Sequence, residues 1–291
     1  MLSYLLASGI STGALYSLVA VGLVLVFRTT GHINFSHGEL YMMGGFFAYS
    51  AHVLLGWPYV ASVAAALVAA FALGLLTDRL IYRPLLHQPG LSIVFATVGL
   101  SFLLKGIGRV FWGGQGDYVT FPPVLAAQPV LVAGTPVFPQ QLLNLAVVMV
   151  CMVFIALFFR YTIAGKAMQA TCESLRAAYL VGIRAERVYM YTWAASAIFA
   201  ALAGCLAAPL TLLSPDIGGP LLLKAFAATV LGGLGSISGA IAGGLLIGVI
   251  ESLAGGYVAT GVQDVSAFVV IMIVLVVKPH GLFGARRTRD A

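Results

Sequence analysis

Hydrophobic positions in this chain neither alternate nor keep to one helical stripe; they come in blocks that are apolar all round. Such blocks cover roughly 5–27, 39–56, 58–77, 91–112, 141–160, 188–213 and 263–277. Each approaches the roughly 20 residues that a helix needs to cross a bilayer core. Turn residues punctuate the joints, at Trp57-Pro58, Pro89-Gly90, Pro122-Pro123 and Pro215. The one long connection, 113–140, carries Asp117 as its only charge together with five prolines, and has no linker character. The pattern predicts an all-α polytopic membrane protein, one domain over 1–291, with about eight transmembrane helices.

An eighth apolar stretch, 221–256, is too long for one crossing and is broken by Gly232-Gly233-Leu234-Gly235-Ser236. It reads either as one tilted helix with a glycine kink or as a broken, re-entrant hairpin. The hairpin has a short limb near 221–231 and a longer one near 237–256. Irregular backbone inside a membrane must be buried in protein or line a cavity, because lipid cannot satisfy its amides. Gly235, Gly239 and Gly243, followed by Gly244 and Gly248, further suggest a stripe of small residues for close helix packing.

Composition removes the alternatives to a membrane. The 291 residues are 61% hydrophobic and 8% charged, against roughly a quarter charged in soluble domains. A net charge of +6 with no basic patch set in polar surface does not point to nucleic acid. Lys and Arg instead concentrate in the joints. Arg28, the Arg79–Arg83 pair, the 160–187 cluster and the C-terminal Lys278, Arg286, Arg287 and Arg289 place twelve of the fifteen basic residues on one side of the membrane. The positive-inside rule makes that side cytoplasmic, with the N-terminus outside. Keeping the C-terminus cytoplasmic as well requires the hairpin. No Lys or Arg precedes Arg28, so the first block is expected to be retained as a spanning helix rather than removed as a secretory signal. Cys151, Cys172 and Cys205 are too scattered for a metal or disulfide framework and read as packing residues.

Polar residues stand out against this background. Gly31-His32-Ile33-Asn34-Phe35-Ser36-His37-Gly38-Glu39 lies between the first two blocks. A charge well inside a helix costs roughly 2.5–3.5 kcal/mol on insertion scales, so Glu39 is expected near an interface or in a wet cavity. The segment reads as a tight connecting loop or as irregular backbone lining a pathway. Its His and Glu spacing matches no zinc signature. Lys105 and Arg109, one turn apart and followed by Trp112, read as snorkelling side chains or as contacts for an external partner; Lys224 with Asp216 has the same ambiguity. In the loop 161–187, Glu173 to Ile183 reads as a short helix ended by Gly182, its apolar side of Ala177, Ala178, Leu180, Val181 and Ile183 too small for a core. It suits a groove on a partner, or it lies in the membrane interface.

Three motifs carry a family resemblance. Ile33-Asn34-Phe35-Ser36-His37-Gly38-Glu39 resembles the INFAHGE signature of LivH-type permeases of branched-chain amino acid ABC importers, with Ser36 in place of the usual alanine. Glu173-x3-Ala177-Ala178-x3-Gly182-Ile183 resembles their EAA coupling loop. Lys224-Ala225-Phe226-Ala227-Ala228 with Val230-Leu231-Gly232-Gly233-Leu234-Gly235-Ser236-Ile237-x-Gly239 resembles their third signature. All three occur in the family's order.

The resemblance implies a permease subunit in a bacterial inner membrane. It would be paired with a second permease, LivM-like or another copy of itself, with two cytoplasmic ABC ATPases and a periplasmic substrate-binding protein. It implies branched-chain or other small aliphatic amino acids as cargo, with urea and amides carried by relatives. The chain has no G-x-x-x-x-G-K-[ST] loop; Gly165-Lys166 lacks the first glycine and the following Ser or Thr. It is therefore expected to be no enzyme and to hold no cofactor, ATP being used by the partners. Glu173, Ala177, Ala178, Leu180 and Gly182 would couple to the ATPases. Asn34, His37 and Glu39 would border the translocation path together with Gly232, Gly233, Gly235, Ser236 and Gly239. Two readings compete: an ion-coupled secondary transporter or channel using Glu39 and the histidines as a proton relay, and an intramembrane enzyme, for which no nucleophile cluster is visible.

Overall fold

The computed structural model describes residues 1–86, 88–113, 118–125, 128–132, 134–278 and 281–283, without the side chains of Thr260 and Asp264. Asp117, Arg286, Arg287 and Arg289 lie outside the described residues. Helix α1, Leu2–Thr30, is apolar on every face and accordingly becomes the buried centre of the bundle, with 83% of its most apolar window covered. Around it stand α2 (His37–Tyr49), α3 (Tyr59–Thr77), the one-turn α4 (Arg83–Leu85), α5 (Gly90–Trp112), α6 (Pro139–Tyr161) and α7 (Ile163–Glu173). They are followed by α8 (Leu175–Leu180), α9 (Ala185–Ala207), α10 (Gly218–Gly232), α11 (Ile237–Tyr257) and α12 (Thr260–Val277). Single π-helical turns, Ser50–Leu54 and Asp78–Tyr82, extend α2 and join α3 to α4.

Lipid provides little drive for apolar helices to associate, so close backbone approach must hold the bundle together. Gly9 and Gly13 on α1 lie against the backbone of α11 at Val249, Gly248 and Leu245. Gly44 meets Ala201, Gly204 meets the Tyr41 carbonyl, and Gly74 meets Ala194, which draws α2 and α3 onto α9. At each of these positions a Cβ would overlap backbone. Hydroxyls reinforce the α1–α11 seam: Ser17 Oγ donates to Ile241 O and Ser252 Oγ donates to Leu5 O, both at 2.8 Å. Trp193, Phe46, Leu18, Leu23 and Met42 fill the centre and are fully buried.

The 221–256 stretch is a hairpin. Its first limb begins at Gly218, three residues before the predicted start, and extends for 15 residues, about 22 Å at helical rise. The turn needs left-handed backbone at Gly233 (φ 102°) and Gly235 (φ 99°), where a Cβ is unfavourable. Ser236 then caps α11, its Oγ accepting from Gly239 N at 3.0 Å. After α12 the chain returns to the same end, because Leu282 N and Phe283 N donate to Leu231 O and Gly232 O at 2.8 and 3.0 Å. A single kinked helix would put these residues at opposite ends. The glycines of this stretch do not form one stripe: Gly239 and Gly243 face Gly232 and Ala228 of α10, whereas Gly244 and Gly248 face α1.

Arg28, Arg83, Arg160 and the α10–α11 turn share one end of the molecule, called here the basic end. At the opposite end the 113–140 connection contributes an antiparallel strand pair, Val130–Val132 with Thr135–Val137, and Val119 exchanges backbone hydrogen bonds with Leu213 at 2.8 and 3.0 Å. Six helices among the described residues are long and apolar enough to cross a membrane: α1, α3 with α4, α5, α6, α9 and α11. Against the eight crossings expected, α2, α10 and α12 are shorter. For α2 and α10 the reason is physical, since both begin inside the bundle.

Candidate functional site

His37 marks the level at which α2 begins. Its Nε2 donates to the carbonyl of Val19, midway along α1, at 3.0 Å, which leaves Nδ1 to accept from Ser196 Oγ on α9 at 3.2 Å. Gly22 supplies the space for the ring. Residues 31–36 therefore climb from the basic end to mid-depth without helical bonds, and the turn is closed locally: Asn34 Oδ1 accepts from Ser36 N at 3.0 Å and from Ser36 Oγ at 2.7 Å. Asn34, Ser36 and His37 are fully buried.

From the other side, the residues after α9 fold back into the bundle, Leu213 packing against Gly45, until α10 begins at Gly218. Gly38 and Gly218 touch backbone to backbone. Two half-helices thus meet with their N-termini at one point in the membrane interior. Helix N-termini carry a partial positive charge, and the Glu39 carboxylate sits between them, 2% exposed. Its Oε1 accepts from Ser101 Oγ at 3.1 Å and faces Lys105 Nζ at 3.6 Å; its Oε2 is packed beside Gly218 and has no hydrogen-bond partner among the described residues. Ser101 stands about 16 Å of helical rise along α5 from Gly90 at the basic end, which confirms the depth. Lys105 therefore turns to Glu39 rather than to a headgroup. Arg109 pairs with Asp216 at 2.7 Å nearer the opposite end, where both are exposed.

A second ion pair lies within the bundle. Lys224 Nζ donates to Glu251 Oε1 at 2.6 Å, Gln263 Nε2 donates to the same oxygen at 3.2 Å, and the ammonium lies 5.9 Å from the Tyr16 ring centre. Lys224, which in the sequence has Asp216 nearby and reads as snorkelling or as a partner contact, pairs with Glu251, whereas Asp216 pairs with Arg109. The buried Gln140–Asn144 pair on α6, with Gln140 Nε2 also donating to Leu206 O at 3.3 Å, went unnoticed in the sequence, since two amides one turn apart are unremarkable there.

The remaining residues singled out in the sequence lie at the basic end. Gly232 and Gly239 are in the α10–α11 contact, and Gly233 touches Gly281. Gly235 and Ser236 line a cleft of about 1120 Å³ that also holds Arg28, Gln169, Cys172 and Glu173. Burial pushes the Cys172 thiol above its ordinary range, against a smaller opposing pull from Arg28. The structure thus keeps the Gly232–Gly239 turn apart from Asn34, His37 and Glu39.

The expected short helix over 173–183 is observed as the shorter α8, Leu175–Leu180, whereas Glu173 closes α7, because extended backbone at Ser174 ends one helix and caps the next. Ser174 caps it, its Oγ accepting from Ala177 N at 3.2 Å. It ends in a Schellman arrangement, with Gly182 (φ 79°) donating to Tyr179 O at 3.1 Å and Ile183 N to Ala178 O at 3.0 Å. Ala178 anchors it, whereas Leu180 and Val181 are 84% and 74% exposed, beside exposed Leu175 and Tyr179. Glu173, Ala177 and Gly182 are exposed too.

A lipid-adapted bundle with half-helices meeting around a buried ion pair defines a multi-pass α-helical membrane protein of the transport class. Within that class the match is specific. The family model for the permease component of branched-chain amino acid transport systems matches residues 5–277, and the chain belongs to that family. The high-affinity branched-chain amino acid transport system permease protein LivH of Escherichia coli is 34% identical, the alignment covering 95% of this chain and 94% of that one. BraD of Pseudomonas aeruginosa, named likewise as a high-affinity branched-chain amino acid transport system permease protein, is 32% identical over 96% of this chain and 94% of its own. Among solved structures, PsaBC from Streptococcus pneumoniae in complex with Fab shares the fold, with a TM-score of 0.53 and 15% identity over 94% of this chain and 91% of that one.

Proposed function

We propose that this chain is the membrane-spanning subunit of an ATP-driven importer of branched-chain or other small aliphatic amino acids in a bacterial inner membrane. The names of its relatives support the cargo, and one observation carries the mode of working: the solvent-facing ridge of Leu175, Tyr179, Leu180 and Val181 at the basic end. A six-residue helix with that much apolar surface is a docking element. The positive-inside rule makes the basic end cytoplasmic and the N-terminus external. Two ATPases dock there, a second permease of LivM type or another copy completes the membrane pair, and a periplasmic binding protein delivers cargo at the opposite end. The chain itself holds no cofactor and catalyses no reaction.

Closure of the ATPase pair displaces the end of α7 through Glu173 and α8 through Ala177, Ala178, Leu180 and Gly182. Helix α8 leads directly into α9, whose Ser196 is hydrogen-bonded to His37 at the start of α2. A push on α8 is thereby delivered to mid-depth, where Asn34, His37 and Glu39 border the route; Gly232, Gly233, Gly235, Ser236 and Gly239 border its cytoplasmic end. Alternation between outward-open and inward-open states follows as a population shift driven by the nucleotide. The test is L-leucine uptake by the assembled transporter in vesicles: Gly182→Arg and Glu173→Lys are expected to abolish ATP-dependent uptake and ATPase association. Unchanged uptake in both variants contradicts the docking assignment.

A further inference from the structure

Four observations about Glu39 remain to be explained together. Its carboxylate is buried where the N-termini of α2 and α10 meet, and one oxygen, Oε2, has no partner among the described residues. Its cation, Lys105, stands at 3.6 Å, beyond the 2.7–2.9 Å of a charge-assisted hydrogen bond, and is 24% exposed. The wall on the α10 side is Gly218 and Gly219, and Lys105 Nζ lies 3.6 Å from where a Gly219 side chain would begin. Finally, Phe35, four residues before Glu39 and with its N–H held by Thr97 Oγ1 at 3.3 Å, is 38% exposed.

A structural ion pair buried this deep is stable only when geometry is good and the remaining lone pairs are satisfied. This pair meets neither condition. It suits exchange instead. A zwitterion inserted between the two side chains keeps the site neutral, its ammonium taking the Glu39 carboxylate and its carboxylate taking Lys105 and the N–H groups that open α10. Neither protein charge is left uncompensated in the membrane interior, so insertion avoids the desolvation cost that separating the pair would bring. We propose that the Glu39–Lys105 pair is a transient mid-membrane subsite for the zwitterionic head of an α-amino acid, which opens by exchanging its internal ion pair for the ligand. This deepens the proposed function and rests on it.

The test uses the full chain, co-purified with the subunits it assembles with, in nanodiscs free of binding protein. The probes are L-leucine, 4-methylpentanoate, which lacks the ammonium, and isoamylamine, which lacks the carboxylate. L-leucine is expected to bind saturably and at least about tenfold more tightly than either analogue, the loss that follows from one missing charge-assisted contact. Glu39→Gln is expected to abolish discrimination against 4-methylpentanoate, and Lys105→Met discrimination against isoamylamine, while Lys105→Arg retains both within about threefold. A residue that only supports the fold would weaken all three probes alike, and that result overturns the proposal. So does a wild-type protein that binds none of them while the complete transporter, in parallel vesicles, takes up L-leucine. Absence of L-leucine uptake by the complete transporter instead overturns the proposed function on which the subsite rests.

Discussion

At the scale of single residues, the charges buried in the bundle interior are paired among the described residues. Lys224 and Glu251 have 13% and 3% of their side chains exposed, and Gln263 supplies an additional donor. Breaking such a pair from one side leaves an uncompensated charge in low dielectric. Lys224→Met, which takes the ammonium away from the buried Glu251 carboxylate, is therefore expected to destabilise the protein by about 3–5 kcal/mol in thermal or denaturant unfolding. The double variant Lys224→Met, Glu251→Leu is expected to recover most of that loss, because it removes both desolvation costs. Equal destabilisation by the single and double variants would show that the charges are not coupled. These pairings were not legible in the sequence. Lys105 and Arg109 look alike there, one turn apart near a Trp, yet one reaches a carboxylate far away in the chain and the other an exposed aspartate. Only the descent of residues 211–217 and the climb of 31–36 bring the partners together, and neither follows from local propensity.

At the scale of elements, what was legible is what local chemistry decides. Apolar blocks mark the long helices, Gly182 marks the end of α8, and the Gly232–Ser236 cluster marks the hairpin turn. Less legible were the π-turns at Ser50–Leu54 and Asp78–Tyr82 and the start of α10 at Gly218, which tertiary packing selects. The division of the α11 glycines between two neighbours was hidden for the same reason, since a four-residue repeat says that a face is small but not what covers it. Two expectations follow. Gly182→Ala is expected to cost α8 about 1 kcal/mol through its left-handed backbone, read as reduced ATPase association with unchanged permease melting; full association would contradict the capping role. Gly243→Val places a branched side chain against the Ala228 carbonyl and is expected to lower the melting temperature and the yield of folded protein. A normal melting temperature would show that α10 and α11 do not need this approach.

At the scale of the whole molecule, the arrangement separates an apolar frame from moving parts. Helices α1 and α9 are the most enclosed of the six long spanning helices, with 83% and 72% of their windows buried, and they form the frame of the bundle. The broken segments around Gly38 and Gly218 sit beside it at mid-depth, where irregular backbone is tolerated only because protein surrounds it. Under the proposed function, docking at the basic end and delivery at the opposite end work on one body. Helix α8 is, under the proposed function, the point at which the partner ATPases drive the chain. Leu180→Asp with Val181→Asp, both at exposed positions, is expected to leave the fold intact by thermal melting and to remove ATPase binding in co-purification. Retained binding would relocate the docking site.

The most direct test is L-leucine uptake into vesicles holding the assembled transporter, supplied with binding protein and compared with and without hydrolysable ATP, and with and without a proton gradient. Uptake is expected to require ATP hydrolysis and to ignore the gradient; uptake that proceeds without ATP, or follows the gradient, would contradict the proposed function.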